Sequence, residues 1–285
     1  MTKNSKQRKN QRSRGSQRHK PKQTKGKNVD GRNNRTGVNK GVGGGVIEGR
    51  QAVRELLAAG KRRVREVVLV EDLDPSPILS QIRELAMERR VPIYEVSRSK
   101  FDSHAVTESP QGVVAFAEPL PNREIEDLLS SQGKPFILVM DGILDPRNLG
   151  AMLRTAECAG VTGVLLPKHR ATRITPTVAK TAQGAIEHLP IASVSGVPKG
   201  LNLLKEMGVW TVGLDSNAET DIYEIKVADE PLALVLGSEG QGLGRLSRER
   251  CDLIAKIPIV GAIESLNVSA AAAIACFEIA KKRRE

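Results

Sequence analysis

From Phe136 onward the chain repeats one pattern: a short run without polar residues, then a segment whose apolar residues recur at helical spacing. Phe136 to Met140 and Leu232 to Leu236 contain no polar residue at all. A strand without a polar face has to be buried on both sides, which requires helices above and below a mostly parallel sheet. Val161 to Leu166, Pro190 to Val194, Val209 to Leu214 and Leu253 to Ile257 read as further strands. Asp145 is suited to cap a helix with Pro146 at its first position, running to Ala159 with Gly160 as its stop. Pro176 to Gln183, Lys199 to Met207 and Asn267 to Lys282 complete the helices. The fold class is therefore α/β; the order of the strands is not readable from such a pattern.

Upstream the pattern is shorter. Ile47 to Leu57 reads as a helix ending at Gly60, and Val64 to Val70 as a strand. Pro75 to Arg90 reads as an amphipathic helix with Ile78, Ile82, Leu85 and Met87 on or near one face. Val91 to Val96 and Gly112 to Ala117 read as strands. A module over 46–118, about 75 residues, is small but within the range that folds alone. His104 reads as a surface histidine. Residues 119–134, with Pro121, Ser130-Ser131 and Gly133 around a short acidic helix, read as a linker to a second domain over 135–285.

The net charge of +11 is not spread over the chain. Residues 1–45 hold 14 Lys and Arg against one acid, Asp30, a net of +13, and the remainder is slightly acidic. A stretch this polar cannot offset its chain entropy by burial, so 1–45 is expected to be a disordered basic tail hinged at Gly43-Gly44-Gly45. Such an arm gains affinity for RNA or DNA by releasing counterions; a solubilising tail or a processed leader is the plainer alternative. No apolar segment follows the basic start as in a secretory signal, and Val268 to Phe277 is too short to span a bilayer. Cys158, Cys251 and Cys276 lie far apart and in no metal-ligand spacing, so reduced, mostly buried thiols in a cytoplasmic protein without metal are expected.

Three stretches at strand ends carry the chemistry: Asp145-Pro-Arg-Asn-Leu-Gly-Ala-Met-Leu-Arg154, Gly237-Ser-Glu-Gly240, and Ile257-Pro-Ile followed by Ser265-Leu-Asn-Val-Ser269. Open α/β sheets keep their sites at such ends. Each stretch also has a plain reading. Leu149, Met152, Leu153 and Ala156 take the core-facing spacing of the first helix, and Arg154 with Glu157 three residues on resembles a solvated ion-paired face. The glycines around Glu239 permit close approach of a ligand to backbone, or an ordinary wide turn; no GxGxxG or P-loop is present. Ser265 or Asn267 suits a helix cap. Lys281 to Arg284 suit the dipole at the other end. Ala270 to Ala273 would let another helix or backbone approach closely.

Taken jointly, Asn148 and Arg154 at six-residue spacing, Gly237-x-Glu239-Gly240 and Ser265-Leu-Asn-Val-Ser269 resemble the three signature motifs of the SpoU/TrmH family of RNA 2′-O-methyltransferases. The preceding module, from Ile47-Glu-Gly-Arg50 to Gln111-Gly-Val-Val114, is similar to the small ribosomal-L30-type RNA-binding domain of the bacterial 23S rRNA guanosine-2′-O-methyltransferase branch. The resemblance implies an α/β-knot homodimer that binds S-adenosylmethionine in trefoil-knotted loops. It implies backbone contacts to that cofactor from Gly237, Ile257 and Leu266. It also implies that Arg154 activates the ribose hydroxyl while Asn148, Glu239, Ser265 and Asn267 position it and the RNA. A guanidinium stays protonated in proteins, which favours a grip of Arg154 on the adjacent phosphate over a role as base. One departure stands out: Ala182-Gln183-Gly184-Ala185 replaces the family's Ser-x-Gly-Ala, at a position expected to touch RNA or a partner subunit. The implied target is a 23S rRNA guanosine. Methylation of tRNA or of an rRNA adenosine, and a non-catalytic RNA-binding assembly factor, are the alternatives.

Overall fold

The computed structural model describes residues 41–129, 133–169, 172–263 and 265–284. The expected tail therefore lies outside the described residues up to position 40. The next residues are held in place: β1 (Gly41–Gly43) pairs antiparallel with β6 (Leu120–Pro121), and the Gly44 amide donates to the Ile174 carbonyl at 2.7 Å. The glycines read as a hinge are thus hydrogen-bonded on both sides.

The small module contains β2 (Val46–Glu48), α1 (Arg50–Ala59), β3 (Val64–Val70), α2 (Pro77–Glu88), β4 (Ile93–Val96), α3 (Arg98–Asp102) and β5 (Val113–Ala117). Its sheet runs β2-β5-β3-β4, with β3 and β4 parallel and the other pairs antiparallel. Ile47 is therefore in a strand, not a helix, because Val46 to Glu48 pair with Val114 to Phe116. That partner lies far along the chain and leaves no local trace. α1 buries Ala52, Val53, Leu56 and Leu57, and α2 buries Leu79, Ile82 and Ala86. Met87, expected near that face, is 76% exposed. His104 is half-buried, its ring edge-on to Phe116 at 5.9 Å between centroids.

The larger domain follows the expected alternation: β7 (Phe136–Met140), α4 (Pro146–Cys158), β8 (Gly163–Pro167), α5 (Pro176–Thr181), β9 (Ile191–Val194), α6 (Val197–Glu206), β10 (Trp210–Leu214), β11 (Thr220–Asp221), β12 (Leu232–Leu236), α7 (Arg245–Arg250), β13 (Leu253–Lys256) and α8 (Val268–Lys282). The sheet is parallel, in the order β11-β13-β10-β12-β7-β8-β9. Along β7, Phe136, Leu138 and Met140 join the core under α4 and α8, while Ile137 and Val139 join the core under α6. That is the period-2 consequence of a strand covered on both faces. The connection before β7 is docked on the sheet: the Arg123 amide donates to the Ile191 carbonyl at 2.9 Å, and Leu128 packs against Gly163.

At the C-terminus the basic residues do more than face a dipole. Arg283 donates to the carbonyls of Ala228, Lys134, Pro135 and Glu230, with its guanidinium 5.1 Å from the Phe136 ring centroid. Among the cysteines only Cys276 is buried; Cys251 is half-buried and Cys158 exposed. Burial pushes the Cys251 and Cys276 thiols up to about 12. Among the described residues no helix is long and apolar enough to cross a membrane, and no group of three or more His, Cys, Asp or Glu could hold a metal ion.

Candidate functional site

The three strand-end stretches meet, and one side chain joins them. Asn267 precedes α8, and its Oδ1 accepts from the Ser269 amide at 2.9 Å, the Ser269 hydroxyl at 2.6 Å and the Ala270 amide at 3.4 Å. The cap expected from sequence is present. The other end of the same carboxamide does something else. Its Nδ2 donates to Asn148 Oδ1 at 3.1 Å and to Glu239 Oε1 at 2.6 Å. A carboxamide carries acceptor and donors on one rigid plane, so capping and bridging are simultaneous.

Each partner is held by its own element. Asn148 is 8% exposed in the first turn of α4, which Asp145 caps by accepting from the Arg147 amide at 2.9 Å. Glu239 sits in the loop after β12, closed by reciprocal Ser238 and Gly242 backbone bonds of 3.0 Å. Asp141, directly after β7, accepts from the Gly244 amide at 3.2 Å and holds the far side of that loop.

Behind this cluster lies a cavity of about 490 Å³, within the roughly 300–1,000 Å³ usual for small-molecule sites. Gly237, Ile257 and Leu266 line it, as do Glu239, Ser265 and Asn267. Gly237 has no room for a larger residue: a Cβ there would lie 2.0 Å from the Gly242 carbonyl carbon and 2.3 Å from the Leu243 nitrogen. Asp215, after β10, also lines the cavity and was not singled out from sequence. An acid directly following an apolar strand was the available signal. Its carboxylate accepts from Arg248 Nε at 3.0 Å and from the Asn217 amide at 2.8 Å. Among the described residues no Lys, Arg or His lines the cavity, whereas Asp215 and Glu239 both do. With Asp215 paired to Arg248, Glu239 is the acid that remains to face a ligand, and the described lining offers none of the cationic side chains that usually hold a polyphosphate.

Arg154 and Asn148 do not line this cavity. Arg154 is exposed on α4, with no ion pair to Glu157 among the described residues, while Asn148 faces inward to Asn267. Six residues along a helix turn the side chain well away from the starting direction. The two therefore do not share a side. In the departing stretch 182–185, Ala182, which stands for the family's Ser, is buried in the core with α4, and Gly184, at φ 93°, lies against Glu55 of α1, which a Cβ would meet at 2.2 Å.

Comparisons with known proteins agree with this layout. Residues 135–277 match the SpoU rRNA Methylase family, and residues 46–123 match the RNA 2′-O ribose methyltransferase substrate binding family. A relative from Staphylococcus haemolyticus described as a TrmH family tRNA/rRNA methyltransferase is 39% identical, over 84% of this chain and 96% of its own length. A solved RNA 2′-O ribose methyltransferase superposes with TM-score 0.69 at 28% identity, over 84% of this chain and 88% of the other. The fold is also that of the SpoU methyltransferase AviRb from Streptomyces viridochromogenes, solved with AdoMet, at TM-score 0.70 and 21% identity, over 84% and 90% of the two chains. By motif order, by sheet and by these matches over both folded parts, the chain belongs to the SpoU/TrmH family of RNA methyltransferases.

Proposed function

We propose that this protein is an S-adenosylmethionine-dependent RNA ribose 2′-O-methyltransferase whose target is a guanosine of 23S rRNA. The observation that carries the reading is Asn267, which ties Asn148 and Glu239 together at the mouth of a cavity lined by Gly237, Ile257 and Leu266. The Glu239 carboxylate, with no cationic side chain among the described lining residues, fits a ligand that bears a sulfonium and an ammonium group. When bound there, S-adenosylmethionine supplies an electrophilic methyl group. The residues of the chain then have to orient a ribose hydroxyl in line with that methyl and draw off its proton. Glu239, Ser265 and Asn267 form the polar rim that orients it, and Asn148 positions Asn267 from behind through their 3.1 Å hydrogen bond. Arg154 grips the neighbouring phosphate through its guanidinium fork and polarises the hydroxyl.

The exposed position of Arg154 supports a homodimer, in which a second copy would bring this arginine to a cofactor cavity. Apolar residues left outside support it too: Ile274 and Phe277 on α8 are 37% and 49% exposed, and Val260 and Ile263 lie in the loop after β13 at 100% and 76%. The knot goes with the family fold; here the chain leaves β13, one strand from the sheet edge, and returns as α8 to pack on α4. The substrate-binding match over 46–123 supports an L30-like role for the module in holding RNA, and an rRNA target fits a cytoplasmic protein.

Incubation with labelled S-adenosylmethionine and rRNA should yield alkali-resistant 2′-O-methyl nucleotides, and Arg154→Ala should lower the rate by about 10²–10³-fold. No transfer to any RNA would leave the non-catalytic assembly factor as the better account. Mapping 2′-O-methylation in a deletion strain separates an rRNA guanosine from an rRNA adenosine or a tRNA. The basic arm predicts something separate. Removing residues 1–40, which leaves β1 paired, should weaken RNA binding and flatten its salt dependence without abolishing turnover. Equal salt slopes for the two proteins would refute an RNA role for the arm.

A further inference from the structure

The most deeply buried ion pair among the described residues joins the small module to the larger domain. Arg62, just before β3, donates through Nε to Glu187 Oε2 at 2.9 Å and through Nη2 to Oε1 at 2.5 Å. The two side chains are 4% and 1% exposed. The third arm of the guanidinium, Nη1, donates to the carbonyls of Gly44 and of Glu118, the latter at 2.6 Å. These carbonyls flank the module, one where the chain enters it and one where it leaves. Arg62 thus fastens both ends of the module to a single carboxylate of the larger domain.

Neighbouring contacts run along the same strip of that domain. His188 Nε2 lies 3.2 Å from Glu55 Oε2 of α1, and Lys180 Nζ lies 3.4 Å from Thr107 Oγ1. The Thr107 loop is itself anchored by the fully buried Glu48, which accepts from the Thr107 amide at 3.0 Å. The strip formed by α5 and the turn Ala185–Glu187 is pressed on α4 in turn. At Gly150 a Cβ would meet Thr181 at 2.6 Å and the Val178 carbonyl at 2.9 Å. Gly150 is two residues from Asn148 and on the helix that carries Arg154. A continuous packed path therefore leads from the module to the catalytic helix.

Stability alone does not account for a buried ion pair, since well-packed apolar residues of similar volume often do as well or better. What a bidentate fork adds is a single allowed geometry. We propose that Arg62 is a positioning residue: its fork with Glu187 sets the substrate-binding module in one orientation, so that RNA held there meets the Asn148 and Arg154 helix in register. The proposal rests on the methyltransferase reading for its RNA part only.

The test uses the full-length chain with Cys251→Ala, spin-labelled at the exposed native Cys158 and at Met87→Cys on the module, diluted with unlabelled protein. The parent should give one narrow distance distribution. Arg62→Met combined with Glu187→Leu removes both charges and should broaden that distribution, with a lower melting temperature from the two carbonyls that lose their donor. On unlabelled protein the same pair should lower kcat/KM for RNA by about 10²-fold, the cost of misplacing a substrate by roughly 1 Å. Affinity for S-adenosylmethionine should be unchanged. Arg62→Lys, which keeps the charge opposite Glu187 but loses the two-pronged fork, provides a second variant should the double one fold poorly. An unchanged distribution overturns the proposal whatever the activity, as does a broadened one with parental kinetics. If the parent methylates no RNA, the function reading fails while the distances still decide the latch.

Discussion

Gly237→Ala is expected to abolish cofactor binding and to lower the melting temperature by several degrees. The added methyl group would sit 2.0 Å from the Gly242 carbonyl carbon and 2.1 Å from its oxygen, both backbone atoms that cannot rotate away. The 237–243 loop would have to open, breaking the paired Ser238 and Gly242 hydrogen bonds and pulling on the Asp141 contact to Gly244. Forcing extra atoms into a packed site costs about 1–3 kcal/mol, and this site also forms a wall of the cavity. Calorimetric titration with S-adenosylmethionine and a thermal melt check the two parts. Parental affinity in the alanine variant would mean that the loop is not a cofactor wall.

Asn267→Asp should separate the two tasks of one side chain. The new carboxylate still offers an oxygen to the Ser269 and Ala270 amides, and a negative charge at a helix N-terminus is favourable. The melting temperature should therefore stay near the parent value. The donor to Asn148 and Glu239 is lost, however, and a carboxylate is set against the Glu239 carboxylate, where the amide nitrogen had stood at 2.6 Å. Removing one preorganised donor typically costs about 10²–10³-fold in turnover, and repulsion adds to it. Asn267→Ala should lose the cap as well, at about 1 kcal/mol of stability. Steady-state kinetics beside a melting curve for both variants make the comparison. Parental activity in Asn267→Asp would show that the bridge has no part in the reaction.

Much of this fold could be read along the chain because its cues are local. The strands Val64–Val70, Phe136–Met140 and Leu232–Leu236 have the expected bounds, each being an apolar or β-branched run between polar punctuation. The α4 cap and its buried face followed from Asp145, Pro146 and helical spacing. Elements whose signal is weak were not expected: α7 is Arg-Leu-Ser-Arg-Glu-Arg, with almost nothing to bury, and β11 has two residues. The strand Val46–Glu48 looked helical because its pairing partner is distant.

The candidate site divides along the same line. Residue types, their order and the strand ends that carry them are properties of the sequence, and they brought the three stretches to notice; the roles of Asn148, Arg154, Gly237, Glu239, Ile257, Ser265, Leu266 and Asn267 within them were implied by the family resemblance. That Asn267 both caps and bridges, that Asp215 joins the cavity, and that Arg154 faces away from it were decided by tertiary packing. So was the Arg62 to Glu187 pair, whose members are 125 positions apart. A hydrogen bond depends on distances of a few tenths of an ångström, set by how whole helices and sheets seat against each other. Periodicity and capping act within a few residues, and they leave that seating open.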